Sequence, residues 1–403
     1  MSAMRSNVSV TQQIDDVAAA ADELLKGAKR GFPLAANSAG ILFCYSDADV
    51  EGLLHELAGR ADFDVVGCTA IANMDERTGF HDMAATLTLL TSDDVRFAAV
   101  SSEPVTPENV ADQVEKTYRA AADRLGETPA LLVALPPYRL EIMLDAYANG
   151  FNKAAPGVPV IGGLPSYNAT GDSNMTFHNG TASTDRLVLL AMAGDVRPVF
   201  SVQNVTSNDA ERKRKVTRAR DNVVYEVAGQ RFTDYLEEVG LPVDKLAQGN
   251  ATITFVSNPL LLEKNTETGE SLYSFARTLH EIDLEDGSGT AIGEIPDGAT
   301  LSVCTLQRDE IEQAALEGIR DLKRKMAAVQ ASGYKFSTVL AVSCIGRHLL
   351  LLPHSDLEVR QILSEFPPGL TLSGFYSYGE IGPQGSERQQ NFAHNESLVL
   401  CAF

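Results

Sequence analysis

A motif that occurs three times along the chain constrains the possible folds more than any other feature of the sequence. Each copy has strand-forming residues that end in a glycine, a polar segment with a phenylalanine and a histidine, and a second strand. The glycine and histidine are Gly67 and His81, Gly162 and His178, and Gly374 and His394. Their spacing varies by a few residues, which is typical of a hairpin with a variable tip. The repetition predicts a duplicated architecture.

Short apolar strands alternate with helical stretches through both halves of the chain, which predicts the α/β class. With 403 residues the chain exceeds the usual size of one domain. We therefore expect a duplicated two-domain architecture, with mixed sheets packed face to face and flanked by helices. The expected divisions are an N-terminal helical segment at 1–36, a first domain at 37–200, a basic connector at 201–220 and a second domain at 221–403.

Several local predictions are specific enough to compare with a structure. Apolar residues at helical intervals predict an amphipathic helix over residues 10–29, and the short run at 252–256 predicts a strand. A weaker fourth copy of the motif, without the histidine, begins at Ile292. A basic run is typical of a solvated connector, although it can also bind nucleic acid; this run contains Arg212, Lys213, Arg214, Lys215, Arg218 and Arg220.

The overall charge argues against two classes of partner. The chain has 54 acidic and 33 basic residues, for a formal net charge of −21. Such a charge repels phosphate backbones and anionic lipid surfaces, so we expect neither a nucleic-acid nor a membrane partner. The N-terminus lacks the apolar run of a signal peptide, and no apolar run is long enough to span a bilayer. These observations favour a cytoplasmic location.

Known catalytic and metal-binding motifs are absent from the sequence. It contains no C-x-x-C pair, no nucleotide-binding glycine loop, no G-x-S-x-G and no H-E-x-x-H. Because no nucleophile, base and orienting group can be assembled from the visible residues, we lean towards a protein that is not an enzyme. No cofactor is predicted from the residues alone.

Two segments of the C-terminal half carry the candidate site. Arg347 follows a buried-looking strand and a glycine, as a carboxylate or phosphate anchor would. If residues 374–380 are extended, Tyr376, Tyr378 and Glu380 share one face, which suits a pocket wall. The alternative is that Arg347 and Glu380 pair only with each other or with the backbone. The histidines of the motif are explained equally well by local hydrogen bonds at a hairpin mouth.

These same segments resemble the FIST domains. Residues 343–347 (SCIGR), 374–381 (GFYSYGEI) and the pair His394 and Asn395 are similar to the C-terminal FIST domain, and residues 37–200 look like the N-terminal one. The resemblance implies a sensory protein of signal transduction that binds a small ligand, such as an amino acid or a similar small polar molecule. Together the residues and the resemblance indicate the candidate ligand-binding residues Cys344, Arg347, Tyr376, Tyr378, Glu380, His394 and Asn395.

Three hypotheses follow from the residues and the resemblance. The first is a small-ligand sensor in which Arg347 binds a carboxylate and Glu380 or Tyr378 binds the other end of the ligand. The second, implied by relatives of the family, is a haem-binding nitric oxide sensor that regulates a partner histidine kinase, although no motif selects one of the seven histidines. The third is an interaction scaffold. In each case the expected output is contact with a separate signalling protein.

Overall fold

The computed structural model describes residues 4–31, 33–167, 174–204, 213–248, 251–265, 271–296, 298–384 and 390–403. The described chain contains three units that share one plan, in which strands and helices alternate and a hairpin precedes the last strand. Unit 1 comprises β1 Arg5–Thr11, α1 Val17–Ala28, β2 Asn37–Tyr45, α2 Val50–Ala58, β3 Asp64–Ala70, β4 Asn73–Asp75, β5 Gly79–His81 and β6 Ala85–Ser92. Unit 2 comprises β7 Arg96–Pro104, α3 Val110–Leu125, β8 Leu131–Leu135, α4 Leu144–Ala154, β9 Val160–Gly163, β10 Thr176–His178, β11 Thr181–Ser183 and β12 Arg186–Ala193.

Unit 3 follows the same plan but is interrupted after its first strand, β13 Val199–Gln203. The interruption, called the insertion below, comprises β14 Arg214–Arg220, β15 Val223–Val227, β16 Gln230–Arg231, α5 Phe232–Glu238, α6 Val243–Leu246, α7 Thr252–Ser257, β17 Leu260–Asn265, β18 Ser271–Arg277, β19 Leu279–Asp283, β20 Ser288–Ala291 and β21 Thr300–Val303. Unit 3 then continues with α8 Arg308–Gln330, β22 Thr338–Cys344, α9 Ile345–Leu351, α10 Leu357–Ser364, β23 Thr371–Ser377, β24 Glu380–Gln384, β25 Gln390–His394 and β26 Leu398–Ala402.

Each unit builds a six-stranded mixed sheet that is completed by the hairpin of another unit. The strand orders are β1-β6-β2-β3-β10-β11 in sheet 1, β7-β12-β8-β9-β24-β25 in sheet 2 and β13-β26-β22-β23-β4-β5 in sheet 3. In every sheet the third and fourth strands are parallel, and the hairpin pairs antiparallel with the fourth. Unit 2 therefore completes sheet 1, unit 3 completes sheet 2 and unit 1 completes sheet 3. The exchange of hairpins forms a closed ring.

The glycine of the repeated motif lies where the exchanged hairpin crosses the sheet. Gly67 pairs with Phe177 of the unit 2 hairpin. A Cβ atom on Gly67 would overlap the carbonyl oxygen of Leu42 in the neighbouring strand and press on the Phe177 ring. Gly162 and Gly374 occupy the same register and would meet the carbonyl oxygens of the neighbouring strand in the same way. Glycine is needed here because the backbones approach too closely for a side chain.

The histidines of the motif are not all equivalent in space. His81 and His394 lie on the second strand of their hairpins, paired with Asn73 and Glu380. His178 lies on the first strand of its hairpin, and Ser183 occupies the position that matches His81. The histidine of unit 2 therefore lies one strand earlier in its hairpin than the histidines of units 1 and 3. Matching the three copies of the motif by residue type alone does not reveal this difference.

The three sheets face a common interior, and helices cover their outer faces. Inward-facing side chains such as Phe43 of sheet 1, Val133 of sheet 2 and Val342 of sheet 3 form one hydrophobic core. Helices α1 and α2 pack on sheet 1, α3 and α4 on sheet 2, and α8 and α10 on sheet 3. The predicted α/β class, with mixed sheets packed face to face and flanked by helices, is confirmed. No helix among the described residues is both long and apolar enough to cross a membrane.

The insertion forms its own eight-stranded sheet with a separate hydrophobic core. A buried ion pair fastens it to the three units, because Arg277 at the end of β18 lies 2.7 Å from Asp145 of α4. The basic run is not a connector over the part that is described. Arg214–Arg220 is strand β14 of this sheet, and three of its arginines form ion pairs on the surface, for example Arg214 with Glu238 at 2.9 Å. Arg212 lies outside the described residues.

Three other local predictions are wrong. The N-terminal segment is not only helical, because Arg5–Thr11 is a strand that pairs with β6, and helix α1 begins at Val17, after the Asp16 side chain caps it. Residues Thr252–Ser257 form helix α7 instead of a strand. The fourth copy of the motif is absent as a unit, since Ile292 follows β20 inside the insertion sheet.

Candidate functional site

A cleft of about 340 Å³ lies between the insertion and unit 3. On the insertion side it is bordered by α6, α7 and the strand β19, and on the other side by the chain around Cys344, Tyr378 and Glu396. It is therefore built from segments that are far apart in sequence. A cleft at the junction of two structural parts is a common place for a small-molecule site.

The insertion contributes the apolar wall of the cleft. Helix α7 presents Phe255 and Val256, and Leu246 and Ala251 lie beside them. Ile292, whose side chain is 43% exposed, lies at the rim. This wall suits the hydrophobic part of a small molecule, since burying apolar surface is favourable by about 25 cal/mol per Å².

The polar base of the cleft is formed by Cys344, Asn395 and Glu396, all almost fully buried. One oxygen of Glu396 accepts a hydrogen bond from the Thr278 hydroxyl of the insertion at 2.8 Å. Gly346, at the start of α9, makes room for this carboxylate, whose oxygens occupy the space that a Cβ atom would fill. Glu396 also has a positive φ of 51°, a conformation that side-chain-bearing residues adopt rarely and that concentrates at functional sites.

Burial raises the pKa of each acidic group at this base. It raises the pKa of Glu396 to about 7, although the Thr278 hydrogen bond opposes the shift. It also raises the pKa of Glu380, which lies behind Glu396 and accepts a hydrogen bond from Ser397 at 2.8 Å. The pKa of the Cys344 thiol is raised well above its usual value by burial and by the charges of both glutamates. A protonated thiol is a poor nucleophile, so this cluster is better suited to binding than to thiolate chemistry.

The other two units show that the fold does not require these acidic groups. Strand register places Glu380 at the same position as Asn73 and Thr176. Both of these neutral residues donate a side-chain hydrogen bond to a backbone carbonyl, Asn73 to Ala84 and Thr176 to Arg186. A carboxylate cannot donate in that way, and Glu380 instead accepts from the side chain at the corresponding place.

Glu396 is likewise peculiar to unit 3. Leu87, Leu189 and Leu400 occupy the same register in the last strand of units 1, 2 and 3. The residues four positions before them are Met83, Asp185 and Glu396, which are therefore equivalent. Met83 is 56% exposed and Asp185 is only half-buried, whereas Glu396 is 1% exposed. A buried carboxylate with an unpartnered oxygen is unfavourable for folding. Because the equivalent positions of units 1 and 2 hold other residues, we infer that Glu396 serves a purpose other than folding.

Four of the predicted site residues lie in or next to the cleft. Cys344, Tyr378 and Asn395 line it, and Glu380 lies just behind its base. The phenol of Tyr378 donates to the carbonyl of Tyr167 at 3.2 Å, and its ring packs against Tyr138 and Tyr167. His394 is buried beneath the cleft, where its Nε2 lies 3.1 Å from the Gly382 carbonyl oxygen and burial lowers its pKa to about 4.

Two of the predicted site residues do not face the cleft. Arg347 is fully buried and does not line the cleft; its Nε donates to Glu358 of α10 at 2.7 Å, so its carboxylate partner is Glu358 and not Glu380. Tyr376 packs among the side chains between sheet 3 and its helices. The reason is that β23 ends at Ser377 and the chain turns before β24 begins at Glu380. Tyr376, Tyr378 and Glu380 therefore do not share the face of one strand.

Sequence reasoning missed Glu396 and the whole insertion wall. Aligning the three repeats on their last strands would have shown a glutamate where the other copies have Met83 and Asp185. No comparable signal marked α7, because its residues read as a strand. Among the described residues, no group of three or more His, Cys, Asp and Glu side chains is arranged to hold a metal ion.

Comparisons with known proteins match two family models to the chain, with a boundary that falls inside the insertion. The model of the FIST N domain matches residues 38–230, and the model of the FIST C domain matches residues 228–383. No curated protein matches the chain. Among solved structures, a crystal structure of a chorismatase is similar over 100% of this chain and 99% of its own, at 11% identity and a TM-score of 0.38. With the two domain models side by side, the chain belongs to the FIST family, whose domains are associated with sensing in signal transduction.

Proposed function

We propose that this protein is a sensor that binds a small molecule in the cleft between the insertion and unit 3. The observation that carries the proposal is the pair of buried, unpartnered acceptor atoms in the cleft, Oδ1 of Asn395 and Oε2 of Glu396. An unsatisfied buried acceptor costs about 1–3 kcal/mol, and a ligand that donates to it recovers that energy. An amino acid or similar small polar molecule has the right size, but its anchor is this acceptor pair and not Arg347.

The cleft also supports a way to pass on the binding event. Its two sides belong to different parts of the protein, and Thr278 of the insertion already bonds to Glu396 of unit 3. A ligand that contacts both sides favours one arrangement of the insertion over others, which is the basis of a population shift. We propose that a separate signalling protein, such as a histidine kinase, detects that arrangement. We also propose a cytoplasmic location, which is supported by five buried cysteines that form no disulfide.

A single tryptophan at the rim provides a direct test. The natural chain has no tryptophan, so Ile292→Trp creates a unique fluorophore beside the cleft. We expect saturable changes in its emission when amino acids and small amines are titrated. The matched control is Ile253→Trp, because Ile253 is 54% exposed on α7 and does not line the cleft.

A thermal-shift screen of the natural chain complements the fluorescence test. A ligand present at a hundred times its Kd should raise the free energy of unfolding by about 2.7 kcal/mol. If no compound shifts the melting temperature, and none changes the emission of Ile292→Trp more than that of Ile253→Trp, the proposed function is wrong.

The haem alternative has less support from the residues of the cleft. Haem needs an axial ligand, commonly histidine, and its propionates favour basic groups nearby. His280 is the one histidine among the described residues of the lining, and it lies at an exposed position, whereas the base of the cleft is acidic. The residues therefore do not fit haem well. Haem reconstitution followed by measurement of the Soret band tests this alternative directly.

A further inference from the structure

We propose that the cleft selects a small apolar amine, which Asn395 and Glu396 bind through its ammonium group while helix α7 holds its hydrocarbon part. This inference rests on the proposed ligand-binding function and specifies the chemical class of the ligand. It is carried by three observations: which atoms lack partners, which charges surround them, and how the other two units differ.

Three unpartnered atoms at and behind the base of the cleft are oxygens that can accept hydrogen bonds. Oδ1 of Asn395 and Oε2 of Glu396 have no hydrogen-bond partner at the base of the cleft, and Oε1 of Glu380 has none behind it. Their residues are 5%, 1% and 0% exposed, so bulk water does not satisfy them freely. The amide nitrogen of Asn395 is already used, because it donates to the His394 carbonyl at 3.0 Å. An ammonium group offers three donors and no acceptor, which matches this arrangement.

The charges around the cleft favour a cation and disfavour an anion. Two glutamates lie at or behind its base, and Glu281 lies on its wall. Among the described lining residues, the one basic side chain is the exposed His280. Arg347 does not line the cleft, and two of its nitrogens donate to Glu358 and to the Ile311 carbonyl oxygen, although its buried charge lies close enough to lower the pKa of Glu396. A ligand carboxylate would therefore enter a cleft whose lining offers it no buried counter-charge, whereas an ammonium gains a charge-assisted hydrogen bond from an ionised glutamate.

The aromatic ring beside the carboxylates supports the same ligand class. Tyr378 lines the cleft and is held by Tyr138 and Tyr167, with ring centroids at 5.1 and 5.3 Å. A cation near the face of an aromatic ring is stabilised by its quadrupole. In the other units the residues that match Glu396 are Met83 and Asp185, and neither of them is buried, so this base is specific to unit 3.

The test compares the binding of four probes of similar size to the natural chain by isothermal titration calorimetry. The probes are hexylamine, hexanol, hexanoate and the amino acid norleucine. We expect hexylamine to bind at least tenfold more tightly than hexanol and norleucine, and hexanoate to show no binding. Tighter binding of hexanoate or norleucine than of hexylamine would overturn the inference.

Two isosteric variants separate the buried carboxylate from a general effect of charge. Glu396→Gln should weaken hexylamine at least tenfold and leave the affinity for hexanol within about twofold. Glu281→Gln removes the same charge from an exposed position on the cleft wall and should change hexylamine affinity less than threefold. Equal losses in both variants would contradict a specific role for Glu396. Binding of a compound that is not an amine at least as tightly as hexylamine would reject this inference alone, whereas no binding of any compound would reject the proposed function as well.

Discussion

At the scale of single residues, Glu396 combines features that are individually unfavourable. Its carboxyl is buried, one of its oxygens has no partner, and its backbone has a positive φ. Such strain persists only where the surrounding structure enforces it, and it concentrates at functional sites. Removing the acidic group should therefore stabilise the protein while it weakens ligand binding, which is the usual exchange between stability and function.

The pH dependence of stability tests this interpretation. Because burial raises the pKa of Glu396 from 4.5 to about 7, the folded state holds a proton that the unfolded state has released between these values. The free energy of unfolding should then fall as pH rises from about 4.5 to 7, and the loss is complete above pH 7. Glu396→Gln should remove this term and raise stability at pH 8 by about 3 kcal/mol.

Urea unfolding of both proteins at pH 5 and pH 8 provides the measurement. The difference between them should be small at pH 5 and large at pH 8, whereas Glu281→Gln should follow the natural chain. A variant that is less stable than the natural chain at pH 8 would contradict the assignment. The titratable or charged groups that surround Glu396 are Glu380 on β24, Cys344 on β22, Arg347 on α9, and His280 and Glu281 on β19.

Arg347 illustrates what sequence can and cannot predict about a residue. The sequence indicated that a buried-looking strand ends near it, and the structure agrees. It could not indicate that the next residues form α9, which turns the guanidinium towards Glu358 eleven positions later. A buried arginine needs a carboxylate, but the choice between a ligand and a neighbouring helix depends on tertiary packing.

At the scale of elements, segments with strong apolar periodicity form the predicted helices and strands. In a segment with a weaker pattern, tertiary packing determines the secondary structure instead. The apolar pattern predicts a helix over 308–331 and strands over 338–344 and 397–403, and the structure has helix α8 at Arg308–Gln330 and strands β22 at Thr338–Cys344 and β26 at Leu398–Ala402. Helix α7 was predicted as a strand because Thr252, Ile253, Thr254 and Val256 are β-branched, and such preferences depend strongly on what the segment packs against. Here Phe255 and Val256 are buried on one side of a short helix.

The motif glycines give a test of the hairpin exchange. Gly67→Ala should destabilise the protein by about 2–3 kcal/mol or more, because its Cβ would overlap the Leu42 carbonyl and force strands apart. Gly59→Ala is the control, since a Cβ at this helix end makes only ordinary contacts. Denaturant unfolding measures both. Similar midpoints for the two variants would show that the strands can separate without cost.

At the scale of the whole molecule, the insertion is an addition to a body of three units. In unit 1 and unit 2 the first strand leads to its helix through a short loop, from Thr11 to Val17 and from Pro104 to Val110. In unit 3 the same connection contains the insertion, and its two ends, near Asn204 and Leu306, border the same surface depression. The three copies of the motif correspond to the three units, although the sequence predicted two domains. The exchange of hairpins could not be predicted, because the sequence carries no signal for which sheet a hairpin joins.

Excision of the insertion tests its role in ligand binding. Replacing residues 205–306 with a short flexible linker should leave a body that melts in one cooperative transition, because Asp145 and Glu396 become hydrated instead of buried without partners. The shortened chain should lose its thermal response to every ligand of the full chain, as measured by calorimetry. Retained affinity would place the binding site outside the cleft.

The ring of exchanged hairpins has a consequence for how the protein is made and how it moves. Because β24 and β25 complete the sheet of unit 2, and β26 lies between β13 and β22, the scaffold cannot close until these three strands have left the ribosome. Once closed, no unit can loosen without disturbing the two others. Among the described parts of the chain, the insertion alone takes no part in the hairpin exchange, so we expect the movement that follows ligand binding to occur in the insertion.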